Sequence, residues 1–233
     1  MRKIGIIGGM SFEGSAVYYR RINEAVNRRL GDRHSARILL ESVDFQDIVA
    51  LQQTGRWDDA GRHLAESARH LQAGGAECVM ISAVTMHLVA DTVRAATALP
   101  FIDIIDEVAT RLRAAGRSRP LLIATRYTME NGFYQARMQQ HGIAVTVPDA
   151  AARAQIHRII FDELTAGRVL DASRAALLAL IDEARAQGAD AVILGCTEIC
   201  MILDTDNLPL PGFDSTAIHA DAAVRFALTD MER

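Results

Sequence analysis

Short continuous apolar runs alternate along this chain with longer stretches in which apolar residues recur at helical spacing, and glycines or polar clusters mark most junctions. Such runs, bounded by turn signals, read as strands buried on both faces. Lys3 to Ile7, Ala36 to Val43, Cys78 to Ile81, Pro100 to Ile105, Leu121 to Ala124 and Ala191 to Leu194 fit that pattern, and Val145 to Pro148 is expected to be extended. Helices are expected over Glu13–Leu30, Arg56–Leu71, Asp106–Ala115, Met129–Gln140, Gln155–Leu164 and Ala172–Gln187. A last helix follows the Asp214-Ser215-Thr216 cap and runs to about Leu228, packing back on the first half. Strands and helices in alternation predict an α/β protein with parallel sheets flanked by helices.

The pattern repeats. Gly75 to Asp91 aligns without a gap to Gly188 to Asp204, at an offset of 113 residues, with Gly75-Ala76 on Gly188-Ala189, Glu77 on Asp190 and Val79 on Val192. Lys3 to Ser11 is echoed more loosely by Arg119 to Tyr127. Two pseudo-symmetric domains facing each other across a cleft are therefore expected, residues 1–98 with 210–233 and residues 99–209, each contributing loops from the carboxyl ends of its strands. Within the repeat Cys196 falls opposite Ala83: one loop carries a thiol and the other a methyl. Cys196 is expected at a tight turn from which a helix starts, and a thiol at a helix start between polar donors has its pKa lowered.

At 233 residues, half of them hydrophobic, the chain can fill the cores of one large or two small domains. A formal net charge of −4 and the lack of a basic stripe interleaved with aromatics speak against nucleic acid as a partner. Cys78 reads as a buried strand residue, and Cys196 and Cys200, four apart with no matching cluster, do not make a metal site. Met1-Arg2-Lys3-Ile4-Gly5 enters a strand with no secretory apolar region, and no apolar run reaches membrane length. A cytoplasmic enzyme or binding protein with reduced thiols is expected. Gly8-Gly9-Met10-Ser11 after the first strand suits a small carboxylate, or is a plain glycine turn; the dinucleotide fingerprint is absent, because Gly14 falls one place late. His87, expected in the first turn after the third strand, is divided evenly between packing and ligand contact.

Gly8-Gly9-Met10-Ser11, Val43-Asp44-Phe45, Gly75-Ala76, Thr85-Met86-His87, Thr125-Arg126-Tyr127-Thr128-Met129, Gly195-Cys196-Thr197-Glu198 and Asp214 through His219 stand in the order found in the cofactor-independent aspartate/glutamate racemases, which the sequence resembles along its whole length. The resemblance implies two α/β domains with the site between them and no cofactor. It also implies proton transfer at the α-carbon of a small amino acid by two cysteines on opposite faces. Cys196 matches one of them. At the other, family members read Cys-Asn-Thr and this chain reads Ala83-Val84-Thr85; the stereospecific L-aspartate/glutamate branch that it resembles closely has threonine in the first place. Thr85, Thr125 and Thr197 match the donors to the α-carboxylate, and Met10 and Ser11 the first glycine loop. The arginine that grips the side-chain carboxylate in aspartate-specific members is missing, with Gln46 and Gln52 as polar substitutes.

Three readings follow from Ala83. Water, Ser82 or another group supplies the missing proton and leaves a slow or one-sided racemase. Alternatively Cys196 works alone as an acid, as in the related arylmalonate decarboxylases, or the protein only binds amino acids or dicarboxylates. Family members are commonly dimers, and a homodimer or a core-facing stripe accounts equally for the apolar positions of the helix over Glu13–Leu30.

Overall fold

The computed structural model describes residues 1–229 and divides into two compact units, Met1–Asp103 with His219–Arg233, and Ile104–Ile218. In the first unit β1 (Ile4–Gly8) is the middle strand of a parallel sheet, with β2 (Ile38–Ser42) on one side and β3 (Cys78–Ile81) on the other. The connecting helices are α1 (Phe12–Leu30), α2 (Phe45–Gln53) and α3 (Trp57–Ala73), and a 3₁₀ turn over Val84–Val89 runs into α4 (Ala90–Ala95). Successive β1 side chains serve opposite faces, as the strand period requires. Ile4 and Ile6 pack with Tyr18, Ile22 and Val26 of α1, while Ile7 packs with Ile48 of α2 and with Leu64 and Ala68 of α3. Burial on both faces is why β1 and β3 are unbroken apolar runs; β2, at the edge, is only half-buried.

The core-facing stripe of Tyr18, Ile22, Ala25 and Val26 takes up much of the apolar content of α1. Phe12 and Tyr19 of α1 and Leu40 of β2 remain exposed, at 72%, 55% and 44%.

The second unit begins with α5 (Ile104–Ala114) and β4 (Pro120–Ile123), followed by α6 (Arg126–Glu130), α7 (Phe133–Gln140) and α8 (Ala150–Arg158). Its chain continues through α9 (Asp171–Ala186), β5 (Ala191–Leu194) and β6 (Gly212–Asp214) into α10 (Ser215–Leu228). The three strands form a parallel sheet in the order β4-β5-β6. From His219 onward α10 belongs to the first unit, where Ala223, Val224 and Ala227 join the core beside Ile4 and Tyr18.

Each internal echo superposes a strand on a strand. Ile4 pairs with Cys78 in the first sheet, and the echoed positions Pro120 and Ala191 pair in the second. Val79 bridges Phe101, and its echo Val192 pairs with Gly212 of β6. Both sheets thus have the same four positions, one of them in each case a single bridge, at Phe101 or at Thr146. The strand expected over Pro100–Ile105 is this bridge alone, because Ile104 already opens α5. Pairing also moves the limits between the halves. Leu99–Asp103 stays with the first unit through Phe101, and Leu210–Ile218, expected with the first, goes with the second through β6.

Three helices depart from the expected spans. Met129–Gln140 is interrupted where Gly132 takes a left-handed φ of 75° between α6 and α7. The segment around Gln155–Leu164 starts earlier, at Ala150, and ends in a π turn over Ile159–Glu163. The helix expected to start at Cys196 is instead a 3₁₀ turn over Ile199–Met201. Among the described residues no helix is long and apolar enough to cross a membrane.

Candidate active site

In parallel sheets all carboxyl ends lie along one edge, where open α/β sheets bind ligands. At that edge of the second unit β5 leads through Gly195 into Cys196. A Cβ on Gly195 would come within 2.8 Å of Leu122 Cδ1 and 3.0 Å of Ala124 Cβ, so only glycine lets the loop lie this close to the end of β4. Cys196 is 8% exposed and its thiol donates to Glu198 Oε2 at 2.8 Å. Thr197 Oγ1 donates to the same oxygen at 2.6 Å. Glu198, itself 8% exposed, is a buried carboxylate satisfied by two neighbouring donors.

This geometry reverses the pKa shift expected of the thiol. Burial first, and then the Glu198 carboxylate, push the Cys196 thiol well above its ordinary value. The Glu198 backbone N–H opposes them without outweighing them, since only a 3₁₀ turn starts here. At neutral pH the sulfur holds its proton, so it is poised as an acid and becomes a base only once Glu198 has taken that proton. Replacing Glu198 with Gln is expected to shift titration of the thiol to lower pH, read from the pH dependence of iodoacetamide alkylation. An unchanged profile would mean that Glu198 does not control it. Cys78 is pushed up to about 12 by burial within β3, in keeping with a core residue.

Thr125, two residues past β4, caps α6: its Oγ1 accepts from the Thr128 backbone N–H at 3.4 Å and lies 3.1 Å from Thr128 Oγ1. At the end of β6, Asp214 caps α10 by accepting from Ala217 N at 3.0 Å, while the Ser215 and Thr216 hydroxyls are buried without a hydrogen-bond partner. Leu194 pairs with Asp214, so the chain leaves β6 next to the place where it leaves β5 for the Gly195-Cys196 turn. The polar cluster after β6 was visible as a cap; the pairing that brings its backbone to this edge was not.

At the carboxyl edge of the first unit, Gly9 has a left-handed φ of 89°, and a Cβ there would come within 2.2 Å of Val43 O. Its backbone N–H donates to Ser15 Oγ at 2.8 Å, so this glycine amide serves the loop itself and not an anion. Ser11 caps α1 by accepting from Gly14 N, and Met10 is buried. Ser82 Oγ donates to Ile7 O at 3.3 Å and lies 3.4 Å from Ser15 Oγ, which stitches the loops after β1 and β3 together. Half-buried Ala83 leads into Val84 and half-buried Thr85, and Val84 is only 7% exposed. Gln52, on α2, is buried with its Nε2 3.2 Å from Met86 Sδ, whereas Gln46 is exposed.

His87 is a packed residue. Its Nδ1 donates to Ala83 O at 3.1 Å, and its ring meets Phe101 and His219 edge-on. His219 Nε2 donates to Ile102 O at 2.8 Å and its Nδ1 accepts from Tyr18 OH at 2.9 Å. Burial, and then the neighbouring His87, lower the His219 pKa to about 3. The unfolded chain binds a proton here near pH 6.5 and the folded one does not. The contribution of His219 to stability is therefore complete above about pH 6.5 and is lost as the pH falls toward 3, by on the order of 1.4 kcal/mol per pH unit. Urea unfolding between pH 7 and 5 should show this slope, and His219→Gln should flatten it.

Among the described residues no group of three or more His, Cys, Asp or Glu is placed to hold a metal ion. Two parallel three-stranded sheets flanked by helices are the two-domain racemase fold. The chain belongs to the Asp/Glu/hydantoin racemase family, whose model matches residues 7–223. It is 44% identical to a candidate Asp/Glu racemase from Yersinia pestis, covering 98% of this chain and 100% of that one with a TM-score of 0.92. An aspartate racemase homologue from Pyrococcus horikoshii is 30% identical, with 97% and 99% covered and a TM-score of 0.85. The aspartate racemase of Picrophilus torridus, 20% identical with 97% and 94% covered and a TM-score of 0.78, shares the fold. Racemases are isomerases, and that is the enzyme class of this family.

Proposed function

We propose that this protein is a PLP-independent amino-acid racemase of the aspartate/glutamate type in which Cys196 is the acid/base at the substrate α-carbon. The observation that carries the reading is the buried Cys196 thiol donating to the Glu198 carboxylate at the end of β5. An α C–H is a very weak acid, so its carbanion-like state needs the α-carboxylate held by oriented donors away from water. Thr85, Thr125 and Thr197 take that role, with Met10, Ser11, Gln52 and Val84 completing the substrate contacts. Glu198 first accepts the thiol proton and the thiolate then takes the α-proton; in the return step the S–H bond breaks, the proton goes to carbon, the sulfur becomes thiolate again, and Glu198 hands its proton back to it.

A lysine inventory supports independence from PLP. The chain has a single lysine, Lys3. It precedes β1, at the amino edge of the sheet, with its Nζ 3.3 Å from Gly74 O. No lysine is available at a carboxyl edge to form the Schiff base that PLP chemistry requires.

Ala83 cannot carry a proton, and Ser82 is held to Ile7 O, so the reaction has one acid/base and is slow or one-sided. The same reading places the enzyme in the cytoplasm with reduced thiols, all three cysteines being free. It also makes the enzyme a homodimer through exposed Phe12, Tyr19 and Leu40 beside edge strand β2, so Tyr19→Arg should lower the sedimenting mass to that of one chain.

The test is proton NMR in D₂O with L- and D-aspartate and L- and D-glutamate, alongside chiral analysis. Loss of the α-proton signal with inversion establishes racemisation, and loss with retention from one enantiomer shows Cys196 acting alone on one face. No exchange with any of the four would overturn the reading for these substrates and favour decarboxylation of a malonate-type acid, which needs a single acid, or binding without turnover.

A further inference from the structure

We infer that the second unit carries a further binding site, at the amino edge of its sheet, for a zwitterionic amino acid with a small aliphatic side chain. The site lies wholly within that unit and takes no part in the reaction at Cys196. Arg119 and Ala189, which lead into β4 and β5, stand on its wall, whereas Cys196 follows the other end of β5. The inference holds whatever molecule Cys196 acts on.

A cavity of about 160 Å³ opens there, the share of about five water molecules in the liquid and enough for an α-amino-acid head group. Its floor is apolar, formed by Leu121 of β4, Ala152 of α8, and Leu180 and Ala184 of α9. Arg119 supplies a cation. In the first unit the internal echo puts Lys3 in this place, and Lys3 Nζ donates to Gly74 O at 3.3 Å where α3 ends. Arg119 repeats the backbone part of that arrangement, since its N–H donates to Asp190 Oδ1 as Lys3 N does to Glu77 Oε2. Its side chain does not: Gln187 stands where the repeat has Gly74, and the guanidinium passes beside Gly188 with no hydrogen bond or ion pair among the described residues.

Glu183 supplies an anion on the same wall. Gln187, one turn later at the end of α9, donates from Nε2 to Glu183 Oε1 at 3.2 Å and orients the carboxylate, which leaves Oε2 open. Asp149, the other acid on the wall, is committed to capping α8, where it accepts from Ala152 N at 2.8 Å. One open guanidinium and one open carboxylate thus share a cavity without pairing with each other. That is the complement of a carboxylate and an ammonium on one carbon. The ligand carboxylate takes two parallel hydrogen bonds from Arg119, its ammonium donates to Glu183 Oε2, and its side chain covers the apolar floor. An acidic side chain would bring a second carboxylate up to Glu183 and Asp149 with no further cation on the wall, so aspartate and glutamate are disfavoured here.

Titration of the isotope-labelled full chain with L-valine, followed through its backbone amides by NMR, tests this without requiring turnover. Valine should bind with a Kd of about 1 mM or below and shift the resonances of residues 119–121, 146–152 and 180–189, while those of 195–198 do not move. N-acetylvaline and valinamide, each lacking one of the two charges, should bind about tenfold or more weakly, and so should valine to Arg119→Gln or to Glu183→Gln. Both side chains are exposed, so the variants should keep the urea midpoint of the unaltered protein. Cys196→Ser should bind valine unchanged. No shifts with valine, shifts centred on 195–198, equal binding of N-acetylvaline or valinamide, undiminished binding by either folded variant, or loss of binding in Cys196→Ser would each overturn the inference.

Discussion

Cys196→Ser is expected to abolish α-proton exchange while leaving the fold intact. Serine keeps the volume and the hydrogen bond to Glu198 Oε2, so the buried carboxylate is not orphaned and the end of β5 need not move. What it loses is acid strength. An alcohol is a far weaker acid than a thiol, and neither loses its proton to carbon nor regains it at a useful rate in a site that already disfavours the anion. Exchange should fall by on the order of 10³-fold or more, the usual cost of removing one member of a catalytic unit. The α-proton signal of the best substrate, followed in D₂O by NMR with urea unfolding as the control for folding, reads the effect. Undiminished exchange in a well-folded variant would remove Cys196 from the chemistry.

Much of this architecture was readable because it is local. β3 and β5 are runs of four buried residues, and the 113-residue offset lays one on the other. The thiol, Thr197 and Glu198 are consecutive, so their chemistry could be suspected from one motif. The interrupted helix over Met129–Gln140 also had its signal in place, since Asn131-Gly132 is a turn dipeptide that weighed less than the surrounding helical spacing.

Other features depend on contacts distant in sequence. Ile199–Leu203 has helical spacing, yet only a 3₁₀ turn forms; Arg174 Nε of α9 donates to Ile202 O at 3.0 Å and holds the loop from outside. The stitch between Ser15 and Ser82 joins residues 67 apart, and Gln52 meets Met86 across 34. The sign of the thiol's pKa shift needed two tertiary facts, burial of the thiol and a Glu198 side chain turned toward it, where the helix start inferred from sequence gave the opposite sign. Propensity and spacing report the backbone and its faces; they do not report which carboxylate a thiol meets.

Ala83→Cys combined with Val84→Asn is expected to raise interconversion of enantiomers by about tenfold or more over the unaltered protein. With one acid/base, a proton taken from the α-carbon returns mostly to the face it left, so exchange outruns inversion. A second thiol lets removal and return occur on opposite faces. The position is prepared for it: Ala83 has extended backbone, φ −132° and ψ 119°, at the entry to the Val84–Val89 turn, and its carbonyl is fixed by His87 Nδ1. Its neighbour Ser82 is committed to Ile7 O and cannot substitute. Under the proposed function Val84 has to change as well, so that an amide in its place can donate to the substrate carboxylate and orient the α C–H toward the new sulfur. Ala83→Cys alone should therefore gain less than the pair. Chiral chromatography of reactions in D₂O separates the outcomes: deuterated product of inverted configuration must rise relative to deuterated substrate. If the folded double variant binds ligand but inverts no faster, the divergence of this chain from the two-cysteine enzymes extends beyond the loop after β3.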